Sequence, residues 1–122
     1  MIVGIGVDVV DLARFERALA RTPKLKNRLF AQSEQIKDGR ELPLRSLAGR
    51  FAAKEAFMKA LGSSTGVQWH DMAVVSDSEG RPSMALRDTA AAIVGALGIT
   101  AIHLSMSHDA GVAIAYVIAE RV

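Results

Sequence analysis

Two carboxylates, Asp8 and Glu55, carry the sharpest chemical signal in this sequence. Glu55 interrupts residues that are otherwise apolar at helical spacing: Leu44, Leu47 or Ala48, Phe51, then Glu55 and Met58. An ionised carboxylate in such a stripe is costly, on the order of several kcal/mol, unless it is paired or binds a metal. Lys59 follows at i+4 and Lys54 is adjacent, so an ordinary salt bridge explains Glu55 as readily as a metal does. Asp8 lies on the strand face otherwise occupied by Gly4 and Gly6. Glycines within a strand mark close approach of a ligand or of another backbone. An aspartate at that strand's end either binds a cation or caps the next helix. As a pair with lysines nearby, the carboxylates suit a hard cation carrying phosphate. Magnesium takes one or two carboxylates and fills its shell with water and phosphate oxygens. Lysine then neutralises charge developing on a transferring phosphate. Spacing gives a mechanism class and no substrate.

Weaker candidates lie further along. Ser105, Ser107 and His108, near the last turn, read as phosphate or sugar contacts or as plain turn chemistry. His70 and His103 lie in or beside expected strands, where a lone histidine is usually structural, and Trp69 reads as core or rim. No Walker motif, GxSxG elbow, HExxH helix or zinc spacing is present. The chain has no cysteine, which removes disulfides, thiolate metal sites and cysteine nucleophiles.

The elements that must position these residues follow from periodicity. Ile2 to Val10 alternates as a strand, with Val3, Ile5, Val7 and Val9 on one face. Asp11 reads as the N-cap of a helix through Leu12, Phe15, Ala18 and Leu19, which Thr22-Pro23 ends. Leu25 to Lys37 predicts one or two short helical turns with Ser33 as a cap, and Gly39 to Pro43 a loop. Pro43 opens a long helix that Gly62 closes near Leu61. After a Gly62 to Gly66 loop come strands over Val67 to Ser76 and Pro82 to Leu86, around an Asp77 to Gly80 turn. Asp88 to Leu97 predicts a helix stopped by Gly98. Thr100 to Ser107 and Gly111 to Glu120 predict two strands joined at His108-Asp109-Ala110. The order points to an α+β domain with a largely antiparallel sheet packed with a long central helix. The 122 residues suit one domain, 1–122. No apolar run approaches a membrane span, and the N-terminus lacks a signal-peptide pattern, so the expected compartment is the cytoplasm.

Net charge is +2, but Arg14, Arg17, Arg21, Lys24, Lys26 and Arg28 are opposed only by Glu16. Such a surface is either a solvated helical face or a site for an acidic partner, nucleic acid or protein.

The motifs resemble those of the bacterial holo-acyl-carrier-protein synthases, small 4′-phosphopantetheinyl transferases. Gly4-Ile-Gly-Val-Asp8 with Asp11 and Arg14-Phe15 resembles their opening motif. Arg50-Phe-Ala-Ala-Lys-Glu-Ala-Phe-Met-Lys59 resembles F-x-x-K-E-A-x-x-K. Gly80-Arg81-Pro82 and His103-Leu-Ser-Met-Ser-His108 are similar to two further elements. The ordered set spans residue 2 to about residue 119 and is specific as a set; only Leu25 to Leu42 is less family-like.

The resemblance implies transfer of 4′-phosphopantetheine from coenzyme A to a serine hydroxyl of apo acyl carrier protein, in support of fatty acid biosynthesis. It implies magnesium held by Asp8 and Glu55, with Lys59 supporting the phosphates or leaving group. Glu55, or a water on the metal, takes the serine proton. Arg50, Lys54, Lys59, Ser107 and His108 match coenzyme A contacts, and Arg45 the adenosine 3′-phosphate. Arg14, Arg17 and Arg21 match the surface that docks the acidic carrier protein. The family forms homotrimers with sites between subunits, and neither nucleic acid nor membrane is an expected partner. The rival reading, a basic nucleic-acid-binding module, leaves Glu55 unexplained and lacks aromatics for stacking bases.

Overall fold

The axis of the fold is α4 (Leu44–Leu61), seen in a computed structural model that describes residues 1–62 and 66–122. Pro43 precedes the helix where its missing N–H costs nothing, and Gly62 ends it at φ 81°. The helix is buried on most of its circumference, by Leu47, Ala48, Gly49, Ala52, Ala53, Lys54, Ala56, Phe57, Ala60 and Leu61. That is wider than the single stripe expected, because the other elements wrap around it.

β1 (Ile2–Asp11) lies directly against α4. A Cβ on Gly4 would sit 1.8 Å from the Ala60 carbonyl oxygen, and one on Gly6 would sit 1.8 Å from that of Ala56. The glycines therefore mark the approach of another backbone. β1 pairs antiparallel with β7 (Val112–Glu120), and β7 pairs antiparallel with β6 (Ala101–Asp109), in the order β1-β7-β6. Ala113, Ala115, Val117 and Ala119 of β7 are the buried side of this sheet. A second antiparallel pair, β4 (Met72–Ser76) with β5 (Pro82–Leu86), continues beside β6. The α+β architecture with an antiparallel sheet around a long helix is the one expected.

The opposite side of the β1-β7-β6 sheet is uncovered and apolar. Ile5, Val7, Val9, Ile114 and Tyr116 are between 36% and 57% exposed. Strand register sets Val7 opposite Tyr116 and Val9 opposite Ile114, so these side chains form one continuous patch.

α1 (Leu12–Arg21) is capped by Asp11, whose carboxylate accepts the Arg14 N–H at 2.9 Å. Asp8 is thus free of the capping role. α2 (Leu25–Leu29) and α3 (Gln32–Gln35) are the short turns expected, but Ser33 lies inside α3 and Ala31 is its N-cap. The expected Gly39 to Pro43 loop is partly a hairpin, β2 (Ile36–Lys37) with β3 (Arg40–Glu41). Asp38 and Gly39 make its turn with positive φ.

The strand expected from Val67 starts only at Met72, because Trp69–Asp71 forms a 3-10 turn. That turn is fixed by Asp71, which accepts from the Thr89 N–H at 3.1 Å and its hydroxyl at 2.5 Å. Thr89 belongs to α5 (Asp88–Ala96), which ends just short of the expected limit. Most of the expected Gly62 to Gly66 loop lies outside the described residues.

Candidate active site

Gly4 and Gly6 let β1 run against the C-terminal half of α4. Beyond them the first side chain on the helix-facing side is Asp8. It meets the helix near Lys59, which donates to Asp8 Oδ1 at 3.1 Å and to the Val7 carbonyl at 3.0 Å. Glu55 lies one turn earlier on α4. Desolvation raises its pKa first and the charge of Asp8 raises it further, with Lys59 acting in the opposite direction. Among the described residues Glu55 makes no ion pair: Lys59 is engaged with Asp8 and Lys54 with Glu34. The salt-bridge explanation of Glu55 therefore does not hold.

Both carboxylates open onto a cavity of about 360 Å³, which Arg14, Phe15, Ala18 and Phe51 also line. Its mouth is charged and its wall apolar. Phe51 stacks on Phe15 at 5.2 Å between ring centroids and leans on Trp69 at 5.8 Å. Two carboxylates face each other here, and Glu55, partly desolvated and repelled by Asp8, has no cation paired directly with it among the described residues. A hard divalent cation fits this donor set. Among the described residues there is no cluster of three or more His, Cys, Asp or Glu, but magnesium needs only one or two carboxylates.

The remaining candidates are placed elsewhere. Lys54 is fully buried, and its ammonium donates to the Leu29 carbonyl, Glu34 and the Trp69 carbonyl. Arg50 donates from Nη1 to the Val74 carbonyl at 2.6 Å and lines a separate cavity with Ser33, Lys37 and Ser76. Its Nε is buried without a partner, and burial lowers the pKa of the guanidinium. Arg45 is exposed near the start of α4, and Arg17 and Arg21 are exposed on α1 with Arg14.

Ser107 and His108 lie on β6, at the far edge of the sheet. Asp8 pairs with Ala115, and Ala115 pairs with Met106. Two strand spacings, roughly 10 Å, thus separate Asp8 from β6, and α4 covers β7 between them. Within one chain, Asp8, Glu55, Lys59 and Arg14 come together, while Ser107 and His108 do not join them. His70 meets the Asn27 carbonyl at 2.7 Å and His103 meets Glu120 at 3.0 Å, both structural contacts. Sequence reasoning missed Glu34, whose partner is distant in sequence, and the Phe15–Phe51 wall. Both phenylalanines fall within the motifs, but nothing in their spacing links them.

A family model described as the 4′-phosphopantetheinyl transferase superfamily matches residues 4–117. A holo-[acyl-carrier-protein] synthase from Leifsonia xyli is 59% identical over 99% of this chain and 98% of its own. The crystal structure of the corresponding synthase from Neisseria meningitidis superposes with a TM-score of 0.88 at 32% identity, covering 99% of this chain and all (100%) of that one. The Helicobacter pylori synthase, solved in complex with coenzyme A, gives a TM-score of 0.81 at 32% identity, covering 95% of this chain and 99% of that one. Motif order, fold and full-length identity agree, and the chain belongs to the 4′-phosphopantetheinyl transferase superfamily, among the holo-[acyl-carrier-protein] synthases.

Proposed function

We propose that this chain, a single domain over 1–122, moves 4′-phosphopantetheine from coenzyme A to a serine hydroxyl of an apo acyl carrier protein in a magnesium-dependent reaction. The observation that carries this reading is the convergence of Asp8, Glu55 and Lys59 at the mouth of a cavity flanked by Arg14. Asp8 and Glu55 would hold the magnesium ion, which when bound would neutralise charge on the coenzyme A pyrophosphate. The serine oxygen forms the new bond to the phosphorus that carries pantetheine. The pyrophosphate bond breaks, and adenosine 3′,5′-bisphosphate leaves. Lys59 is the cation that balances charge on the leaving phosphate. The serine proton goes to Glu55 at the mouth of the cavity or to a water beside it.

Coenzyme A as donor is supported by the bound Helicobacter pylori relative. The basic face of α1, with Arg14, Arg17 and Arg21, suits an acidic carrier protein and sets on-rate and salt sensitivity. A nucleic acid reading of that face gives Glu55 no role and is not favoured. Ser107 and His108, which lie apart from Asp8 within one chain, would act in the coenzyme A site of a neighbouring copy, and Arg45 would contact the adenosine 3′-phosphate. The uncovered sheet face supports the trimer that this requires. The described helices include none long and apolar enough to cross a membrane, and a cytoplasmic role in fatty acid biosynthesis follows from the carrier-protein substrate.

Incubating the chain with apo carrier protein, coenzyme A and magnesium tests the reading. The carrier protein is expected to become heavier by one phosphopantetheine, read by mass spectrometry. No mass gain at any magnesium concentration would sink the proposal.

A further inference from the structure

Lys54 sits between the candidate site and the basic segment that follows α1, with its ammonium sealed from solvent. It donates to the Leu29 carbonyl at the end of α2 (2.7 Å), to Glu34 Oε1 in α3 (3.0 Å) and to the Trp69 carbonyl (3.0 Å). An ammonium has three N–H donors, so all three are in use and none is left for a phosphate. The acceptors come from three separate elements. Glu34 spreads the network: its Oε2 lies 2.9 Å from the same nitrogen, and its Oε1 also accepts the Ala31 N–H at 2.9 Å. Gln35 adds bonds to the Phe30 carbonyl and the Asn27 side chain, and the Phe30 ring lies 5.1 Å from the cation. Burial lowers the pKa of the amine and Glu34 raises it again.

None of these acceptors belongs to β1, the strand that carries Asp8. Lys24, Lys26 and Arg28 belong to the segment whose last carbonyl, that of Leu29, Lys54 grips. Trp69, whose carbonyl it also grips, backs Phe51, and Phe51 forms the apolar wall of the Asp8–Glu55 cavity. We propose that Lys54 is a positioning residue for the protein acceptor: it clips α2, α3 and the Trp69 turn to α4, and so fixes the basic Lys24–Arg28 surface and the Phe51 wall. This departs from the coenzyme A contact that the family resemblance assigns to Lys54, and it rests on the proposed function.

The test compares binding of the two substrates to Lys54→Met. Apo carrier protein affinity is expected to fall by on the order of five-fold, the effect of disordering a charged docking surface. Coenzyme A affinity, by calorimetry, stays within about two-fold of wild type on the same reasoning. Hydrogen exchange at Leu25–Gln35 and Trp69–Asp71 speeds up while β1 stays protected. If Lys54→Met does not fold, combining it with Glu34→Gln leaves no uncompensated buried charge and reads the same split. A loss in coenzyme A affinity equal to or larger than the loss for carrier protein overturns the proposal, as does unchanged exchange at Leu25–Gln35. A wild type that binds no carrier protein sinks the proposed function and this role with it. A variant that binds carrier protein as well as a competent wild type sinks this role alone.

Discussion

Burial of the Glu55 carboxylate beside Asp8 works against the fold, because lost solvation and then the neighbouring negative charge hold its pKa above the usual carboxylate range. In the unfolded chain a glutamate ionises near about pH 4.3. The folded state binds that proton more tightly, so this contribution to stability is full below the unfolded pKa and is lost as pH rises through the folded one. Metal-free Glu55→Gln is therefore expected to unfold at a higher temperature than wild type at neutral pH. The two should converge below about pH 4, where both side chains are neutral, and the variant should lose transfer activity. Equal thermal midpoints at both pH values would show that Glu55 is not strained. The sequence made Glu55 legible, since it breaks an apolar period, and it made Asp8 ambiguous. Asp11 resolves that ambiguity by capping α1 itself. The pairing of Lys54 with Glu34 was illegible because the two lie twenty positions apart, Glu34 in a segment with no strong periodicity.

At the level of elements, the β1–α4 seam places the carboxylates, and its closeness depends on two missing side chains. A Cβ on Gly6 would meet backbone, at 1.8 Å from the Ala56 oxygen and 2.8 Å from the Ala60 nitrogen, and backbone cannot swing aside as a side chain can. Gly6→Ala should cost on the order of 3 kcal/mol, the upper part of the range for overpacking. It should also part Asp8 from Glu55, so that activity falls further than the unfolded fraction explains. Gly95→Ala in α5 is the control: nothing lies within 4 Å of its added methyl, and helix propensity predicts a gain of up to about 1 kcal/mol. Chemical denaturation of both variants checks the pair, and equal costs would contradict the seam. The strand, the Asp11 cap and the Pro43 and Gly62 ends of α4 were readable because each is local in sequence. The Trp69 turn was not, because Thr89 and Lys54, both remote in sequence, hold it in place of a strand. The β2–β3 hairpin was too short to show a period.

The whole molecule leaves one side of its main sheet apolar and open, and the family-matched coenzyme A residues divided across α4. A second copy of the chain laid against the Ile5, Val7, Val9, Ile114 and Tyr116 face, as proposed above, would answer both features. Three copies would cover that face in a closed ring and bring Ser107 and His108 of one chain toward Asp8 and Glu55 of the next. Tyr116 tests this because it is on the middle strand, between Val7 and Ser105. Its side chain is on the outer face, away from α4, so Tyr116→Lys puts a charge at the centre of the contact without touching the carboxylates. The wild type is expected to sediment at three times the 13.0 kDa chain mass, and the variant at that of one chain. Transfer activity should fall with the assembly while the thermal unfolding of the separated chain remains cooperative. A folded, monomeric Tyr116→Lys that still transfers phosphopantetheine at the wild-type rate would mean that one chain holds the complete site, and that Ser107 and His108 play no part in it.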